Sequence, residues 1–420
     1  MREFTFHENR LQCESVPLAD VACAHGTPLY VYSAGLIRRR CREIEEAFGS
    51  REHLTCYAVK ANANRQLLHL IAEQGLGADV GSGGELELAL GAGFAPERVT
   101  FSGVGKRDDE IVLALGHGVS AFNVESAEEM EVLSALAVQH SCTARVLLRV
   151  NFDIDAGGHA YVSTSLKHNK FGVPRQHAAG VLRRAAGLPG IEVRGVHSHI
   201  GSQITNRTVF LSAASAIVEL VTELRSQGIP QHDVDFGGGF GVQYHGVLSH
   251  PALPQEMPEG GAHDPTTVLR DVLPILDETG CRVLIQPGRA IVGQAGLLLT
   301  TVLYRKAMEE KVFVVVDAGM NDLIRPSLYN AYHQIVPLVV GGSGTETVDV
   351  VGPVCESGDF FARGRRFPVV KRGDQLAILC AGAYGFVLSS NYNARLRPAE
   401  VLIDGAAVRL IRERQRLDQL

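Results

Sequence analysis

From residue 50 onward, short apolar or β-branched runs that close on Gly, Ser, Asn or His keep recurring, and stretches of helical period separate them. Eight runs are present: "TCYAVKAN" from 55, "GADVGS" from 77, "VTFSG" from 99, "AFNVES" from 121, "ARVLLRVN" from 144, "EVRGVHSHIG" from 192, "DVDFGGGF" from 233 and "RVLIQPGR" from 282. Between them lie "NRQLLHLIAEQG", "GGELELALGAG" and "SAEEMEVLSALAVQ", the last opening on a Ser N-cap with Glu three residues on. Alternation of strand and helix predicts a parallel sheet, and eight repeats predict closure into a TIM-like (β/α)8 barrel of the α/β class. An open doubly wound sheet is the alternative. The stretch "GLIRRRCREIEEAF" at 35–48 is helical in pattern and precedes the first strand, so it can stand in for a missing last helix.

After about residue 291 the rhythm changes to strand-like runs without long helices: "LLLTTVLYR", "KVFVVVDAG", "QIVPLVVG", "TVDVVGP", "QLAILCAG" and "EVLIDG". This predicts a C-terminal all-β domain, sandwich-like or barrel-like, which "TPLYVYS" near the N-terminus joins. The predicted division is a barrel over 34–291 and a β domain from 1–33 and 292–420, in keeping with a chain of 420 residues. "HPALPQEMPEGGAHDP" at 250–265 reads as a surface insertion.

Composition changes this picture little. Hydrophobic residues make up 45% and charged ones 20%, as expected of a globular chain. A net charge of −6 with no basic stripe argues against nucleic acid. The apolar runs are strand-sized and the charged start "MREFTFHENR" lacks a leader pattern, so the expectation is a cytoplasmic chain without membrane contact. Eight cysteines lack the close pairs of zinc or dithiol sites, and no metal is expected.

Barrel active sites form at the C-terminal strand ends. There the sequence places Lys60 after the first strand, Ser82 after the second, His199 and Ser202 after the sixth, Gly237, Gly238 and Gly239 after the seventh, and Gln286 and Arg289 after the eighth. A lysine is ordinarily a solvated surface residue, but desolvation at a barrel mouth favours the neutral amine, a nucleophile for a carbonyl. A triple glycine is either a tight turn or an anion cradle of backbone N–H groups. Together with Ser202 the set suggests a phosphorylated aldehyde, pyridoxal phosphate. His199 is either a satisfied core histidine or a ring that stacks on the pyridine. In the β domain, "CESGD" sets Cys355 beside Glu356, "AGAYG" holds Tyr384 among glycines, and one helical turn of "RPSLY" aligns Arg325 with Tyr329. Arginine suits a carboxylate and Glu356 an ammonium, so the second group describes a pocket for a zwitterion.

The ordered motifs "YAVKAN", "GADVGSGGEL", "FNVES", "STSLKHNKFG", "HSHIGSQ", "DFGGGFG", "PGR", "DAGMNDLIRPSLY", "GPVCESGD", "AGAYG" and "NYNARLRPAEVLIDG" run nearly end to end. The chain resembles the fold-type III pyridoxal-phosphate decarboxylases, and within them the branch that converts meso-2,6-diaminopimelate to lysine and carbon dioxide. The resemblance implies a homodimer whose active sites draw on both subunits. Lys60 would bond to the cofactor, His199 would stack on its ring, and Ser202 with Gly237, Gly238 and Gly239 would hold its phosphate. Tyr384 would lie against cofactor and substrate. Arg289, Arg325 and Tyr329 would grip the retained carboxylate. From the partner, Glu356 would take the distal amine and Cys355 would be the proton donor, a role that suits a thiol because its ordinary pKa near 8.5 keeps it mostly protonated.

One position departs from the family, which carries Glu-Pro-Gly-Arg where residues 286 to 289 read "QPGR". The family carboxylate pairs with the ring nitrogen. The amide of Gln286 can donate a hydrogen bond to an unprotonated nitrogen but carries no balancing charge, a loss of ~2–3 kcal/mol at the reacting centre. The departure reads foremost as benign lineage variation, since loss of the substrate carboxylate still provides a driving force. The other readings left open are decarboxylation of ornithine, arginine or another polyamine precursor, and cofactor binding with weakened catalysis. The intact Lys60 and Cys355 oppose the second, Arg325 with Tyr329 opposes the first, and "CESGD" opposes a racemase of alanine type.

Overall fold

All eight runs are strands in the computed structural model: β1 His53–Ala58, β2 Gly77–Val80, β3 Val99–Phe101, β4 Ala121–Val124, β5 Ala144–Asn151, β6 Ile191–His197, β7 Asp233–Asp235 and β8 Arg282–Ile285. The structure describes residues 3–155, 169–255, 263–342 and 344–420. Each strand pairs in parallel with the next, and β8 returns to β1 through Val283 opposite His53, which closes the barrel and excludes the open sheet. The chain divides into two compact units, residues 40–242 with 262–290, and residues 1–39 with 243–261 and 291–420.

The helices that alternate with the barrel strands are α1 Ala34–Phe48, α2 Arg65–Ala72, α3 Gly83–Gly91, α4 Asp108–His117, α5 Ala127–Gln139, α6 Arg175–Ala185, α7 Arg207–Ser226 and α8 Pro265–Leu276. Short polar side chains begin several of them, because an Asn, Ser or Asp oxygen satisfies an N–H that the first turn leaves open. Asn64, Ser82, Ser126, Asn206 and Asp264 all do so. Ser126 accepts from Glu129 N, while the Glu129 carboxylate reaches past the cap to the N–H of Glu125. The barrel-unit half of α1 stacks Phe48 on His53 at the start of β1, and Arg40 pairs with Asp264 at the cap of α8. It thus fills the place of a helix following β8.

Alternation along the barrel strands sets the interior. Leu54, Cys56, Ala121, Leu147 and Leu284 form an apolar layer. Two residues further towards the C-terminal ends, β4 carries Asn123, β5 carries Arg149 and Gln286 follows β8, all buried. The barrel is therefore greasy below and polar just beneath its rim.

In the second unit the sheet order is Phe360–Pro368, Thr345–Val351, Val312–Val316, Gly296–Ala307, Leu29–Ser33, Ala399–Asp404 and Ala407–Arg412. The long central strand is shared: its first half pairs with Leu29–Ser33 and Gln375–Ile378, its second half with Val312–Val316. "TPLYVYS" thus joins the β sheet. Two of these strands, "FFARGRRFP" and "AVRLIR", escape the sequence reading. The first is interrupted in its middle by Arg363, Gly364, Arg365 and Arg366, and the second is an exposed edge with no buried face to give it a pattern. Residues 243–255 pack with this unit, where Tyr244 meets His333 edge-on and the Gln334 side chain bonds the backbone of Leu248 in both directions. Residues 163–168 of "STSLKHNKFG" and 256–262 of the insertion lie outside the described residues.

Candidate active site

Strand β1 ends at Ala58, and Lys60 stands one step beyond, on a 3-10 turn over Val59–Ala61. Its neighbours Val59 and Ala61 are buried while Lys60 is exposed. The "PGR" segment seats this turn: Pro287 O accepts from Ala58 N (3.1 Å), and a Cβ on Gly288 would press into Ala61. The two asparagines of "KANAN" lock the exit, since Asn62 Oδ1 accepts from Asn64 N (3.1 Å) and Asn64 caps α2. A strand that ends on an amine is here a short rigid turn presenting one.

The polar layer is built around two buried carboxylates, Asp79 of β2 and Asp235 of β7. Gln286 Nε2 donates to Asp235 Oδ2 (2.7 Å) and Asp79 Oδ1 (3.1 Å). Asn123 Nδ2 also donates to Asp235 (3.1 Å), and Ser102 and Thr100 donate to Asp79 (2.5 and 3.1 Å). Burial pushes the Asp235 carboxyl up to about 7, helped by the neighbouring Asp79 charge. Asp79 is raised by the same burial, against the pull of Lys60. The sequence gives Gln286 a donor role towards a ring nitrogen. In the structure both amide protons point at carboxylates. Beside this layer, Arg149 pairs with Glu125 (2.6 Å), both buried.

At the ends of β6 and β7 the glycine turn is a consequence of close packing. A Cβ on Gly237, Gly238 or Gly239 would collide with the carbonyl oxygen of Ser198, Gln286 or Gly201 respectively, and Gly237 and Gly239 have positive φ (73° and 90°). Gly237 N donates to Asp235 Oδ1 (2.9 Å) and Gly238 N to His199 Nδ1 (3.1 Å). The first two N–H groups thus serve the carboxylate layer and the histidine, while that of Gly239 makes no hydrogen bond among the described residues. Because Nδ1 accepts, the proton of His199 sits on Nε2. Burial, with Lys60 and Arg149 nearby, holds this imidazole well below its usual range and so neutral. Arg289 Nη2 donates to Ser202 Oγ (3.0 Å), which turns the serine's own proton away from it. An amine, a hydroxyl with a proton to give, a buried guanidinium and a glycine N–H on adjoining strand ends fit a phosphorylated aldehyde. Ser82 has another duty, as the N-cap of α3.

In the β unit, Arg325–Tyr329 forms the helical turn that the spacing predicts. Arg325 is buried, donates to His333 Nε2 (2.7 Å) and lies over the Tyr244 ring (4.9 Å). His333 Nδ1 faces Leu379 O (2.7 Å), so the proton is there and Nε2 is the acceptor. Tyr329 is half-buried. The "CESGD" loop is pinned at its far end by Asp359, whose carboxylate takes the N–H groups of Met320 and Val354 (2.6 Å each). Cys355 and Glu356 stand exposed on it. Ser327 Oγ donates to Gly358 O (2.5 Å), so the loop and the turn are neighbours, yet Arg325 is buried and the loop's thiol and carboxylate are not. Tyr384 has φ +55°, a strained setting for a tyrosine, between Gly382 and Gly385, whose missing Cβ atoms admit the Val292 and Ala381 carbonyls.

Sequence reasoning named groups just past five of the eight strands and, Gln286 apart, missed the layer beneath: Asp79, Asn123, Glu125, Arg149, His197 and Asp235, with His333 in the β unit. The available signal was a polar residue at an inward position near the end of a barrel strand. His197, for example, is buried with neither ring nitrogen hydrogen-bonded among the described residues.

Residues 34–293 match the family described as pyridoxal-dependent decarboxylase, pyridoxal binding domain, and this fixes the class of enzyme to which the barrel belongs. The chain is 42% identical over 415 residues to diaminopimelate decarboxylase of Aquifex aeolicus, covering 99% of this chain and 96% of that one. It is 44% identical over 420 residues to the Pseudomonas aeruginosa protein of the same name, covering 100% and 98%. The crystal structure of diaminopimelate decarboxylase from Helicobacter pylori complexed with L-lysine superposes with a TM-score of 0.87 at 38% identity, over 96% of this chain and 97% of that one. The chain belongs to the diaminopimelate decarboxylase family. No helix among the described residues is long and apolar enough to cross a membrane.

Proposed function

We propose that this chain is a carboxy-lyase that converts meso-2,6-diaminopimelate to L-lysine and carbon dioxide with pyridoxal 5'-phosphate as cofactor. The observation that carries the reading is the exposed Lys60 amine on its rigid turn, standing on the same barrel rim as the Arg289–Ser202 pair. When bound, the cofactor supplies a conjugated sink for the electron pair left as carbon dioxide departs. Lys60 is its covalent anchor. The neutral imidazole of His199 offers a flat face, and Ser202, the Gly239 N–H and Arg289 offer donors to the phosphate. Arg289, Arg325 and Tyr329 bind the retained carboxylate, with Arg325 held by His333 and Tyr244, and Tyr384 closes on the substrate.

Cys355 gives a proton to the α-carbon and Glu356 binds the distal ammonium. Their exposure on a loop whose neighbour Arg325 is buried supports their serving the site of a second subunit, in a cytoplasmic homodimer with shared active sites. The test is to supply the holoenzyme with meso-diaminopimelate, ornithine and arginine side by side and to measure carbon dioxide and amine products. Lysine and carbon dioxide in equal amounts from diaminopimelate are expected. Faster turnover of ornithine or arginine, or no turnover with the cofactor visibly bound, would overturn the reading.

A further inference from the structure

The amide of Gln286 is oriented by what lies behind it. Its two protons go to Asp235 and Asp79, and turning the group over would set its oxygen against two carboxyl groups that already collect donors from Asn123, Ser102 and Thr100. The carbonyl oxygen is therefore the group that Gln286 has left to offer, and it accepts no hydrogen bond among the described residues. Facing a ring nitrogen, a carbonyl oxygen can pair only if that nitrogen carries a proton. We propose that Gln286 accepts a hydrogen bond from the protonated ring nitrogen of the cofactor, with Asp79 and Asp235 as positioning residues that fix the amide and supply negative charge through it. This rests on the reading that pyridoxal phosphate is bound at Lys60, and it deepens that reading at one atom.

The arrangement moves the counter-charge one hydrogen bond back. A carboxylate in place of Gln286 would touch the ring nitrogen directly, whereas here a polarised amide stands between. Charge-assisted bonds on its nitrogen side make the oxygen a stronger acceptor, as in any chain of hydrogen bonds in a dry interior. Lys60 and Arg149 are the cations that bear on the pair and Glu85 a further acid, while His197 and His199 are held neutral by burial. The counter-charge is thus set by this pair, both members raised by burial, without a third carboxyl in the layer.

The test loads the holoenzyme with pyridoxal phosphate labelled with 15N in the ring and reads the nitrogen resonance at neutral pH. The wild-type signal is expected in the protonated, pyridinium range. It should move towards the unprotonated range in Gln286→Leu and in the Asp79→Asn/Asp235→Asn double variant, and stay protonated in Gln286→Glu. An unprotonated wild-type signal, or a protonated signal that the double variant leaves in place, would overturn the proposal, and the wild-type measurement stands even if a variant does not fold. A protein that never develops the Lys60-linked visible absorbance would instead overturn the reading beneath it.

Discussion

Asp235 is a buried acid whose carboxyl stands at about 7 in the folded chain, against 3.8 ordinarily. The folded state keeps a proton that the unfolded state has released, so the stability this group confers is present at low pH and lost as pH rises from roughly 4 to 7, by at most ~1.4 kcal/mol per unit. Urea unfolding of the apoenzyme should show Asp235→Asn gaining on wild type as pH rises through that window; parallel curves would mean that the proton is not held there. Cys355 can be tested on its own. If it gives the proton to the α-carbon, Cys355→Ala should lower kcat by about 100- to 10,000-fold with a smaller change in KM, the signature of a lost general acid. A loss confined to KM would make it a binding residue.

At the scale of elements, the Gly237–Gly239 turn joins the carboxylate layer to the rim. A methyl group on Gly238 would strike the backbone carbonyl of Gln286 and come into contact with the His199 ring. Gly238→Ala is expected to cost about 1–3 kcal/mol in unfolding measurements and to weaken cofactor binding in a spectroscopic titration. Unchanged affinity would show that the turn does not shape the site. The barrel strands were legible because each pairs an apolar run with a Gly, Ser, Asn or His at its end, and the caps were legible because short polar residues begin the helices. The edge strand Ala407–Arg412 was not, since nothing is buried on either face to impose alternation. Gln286 stood out in the sequence, but its partners lie 51 and 207 residues away, and only closure of the barrel brings them together. That distance explains why the sequence assigned the amide's protons to the ring nitrogen rather than to Asp235 and Asp79.

For the whole molecule, the proposed division of labour puts Lys60 and Cys355 of any one site on different subunits. Lys60→Ala and Cys355→Ala should each keep at most about 1% of wild-type activity alone. Mixed in equal amounts and allowed to exchange, they should recover about a quarter of wild-type activity, since half the dimers are then hybrids with one intact site of two. No recovery despite demonstrated exchange would place both residues in one subunit's site. All these roles depend on the covalent anchor. Reduction of the holoenzyme with borohydride, followed by peptide mapping, measures it most directly: the account predicts a pyridoxyl group on the peptide that carries Lys60, and a label on another lysine, or none with the cofactor bound, would contradict it.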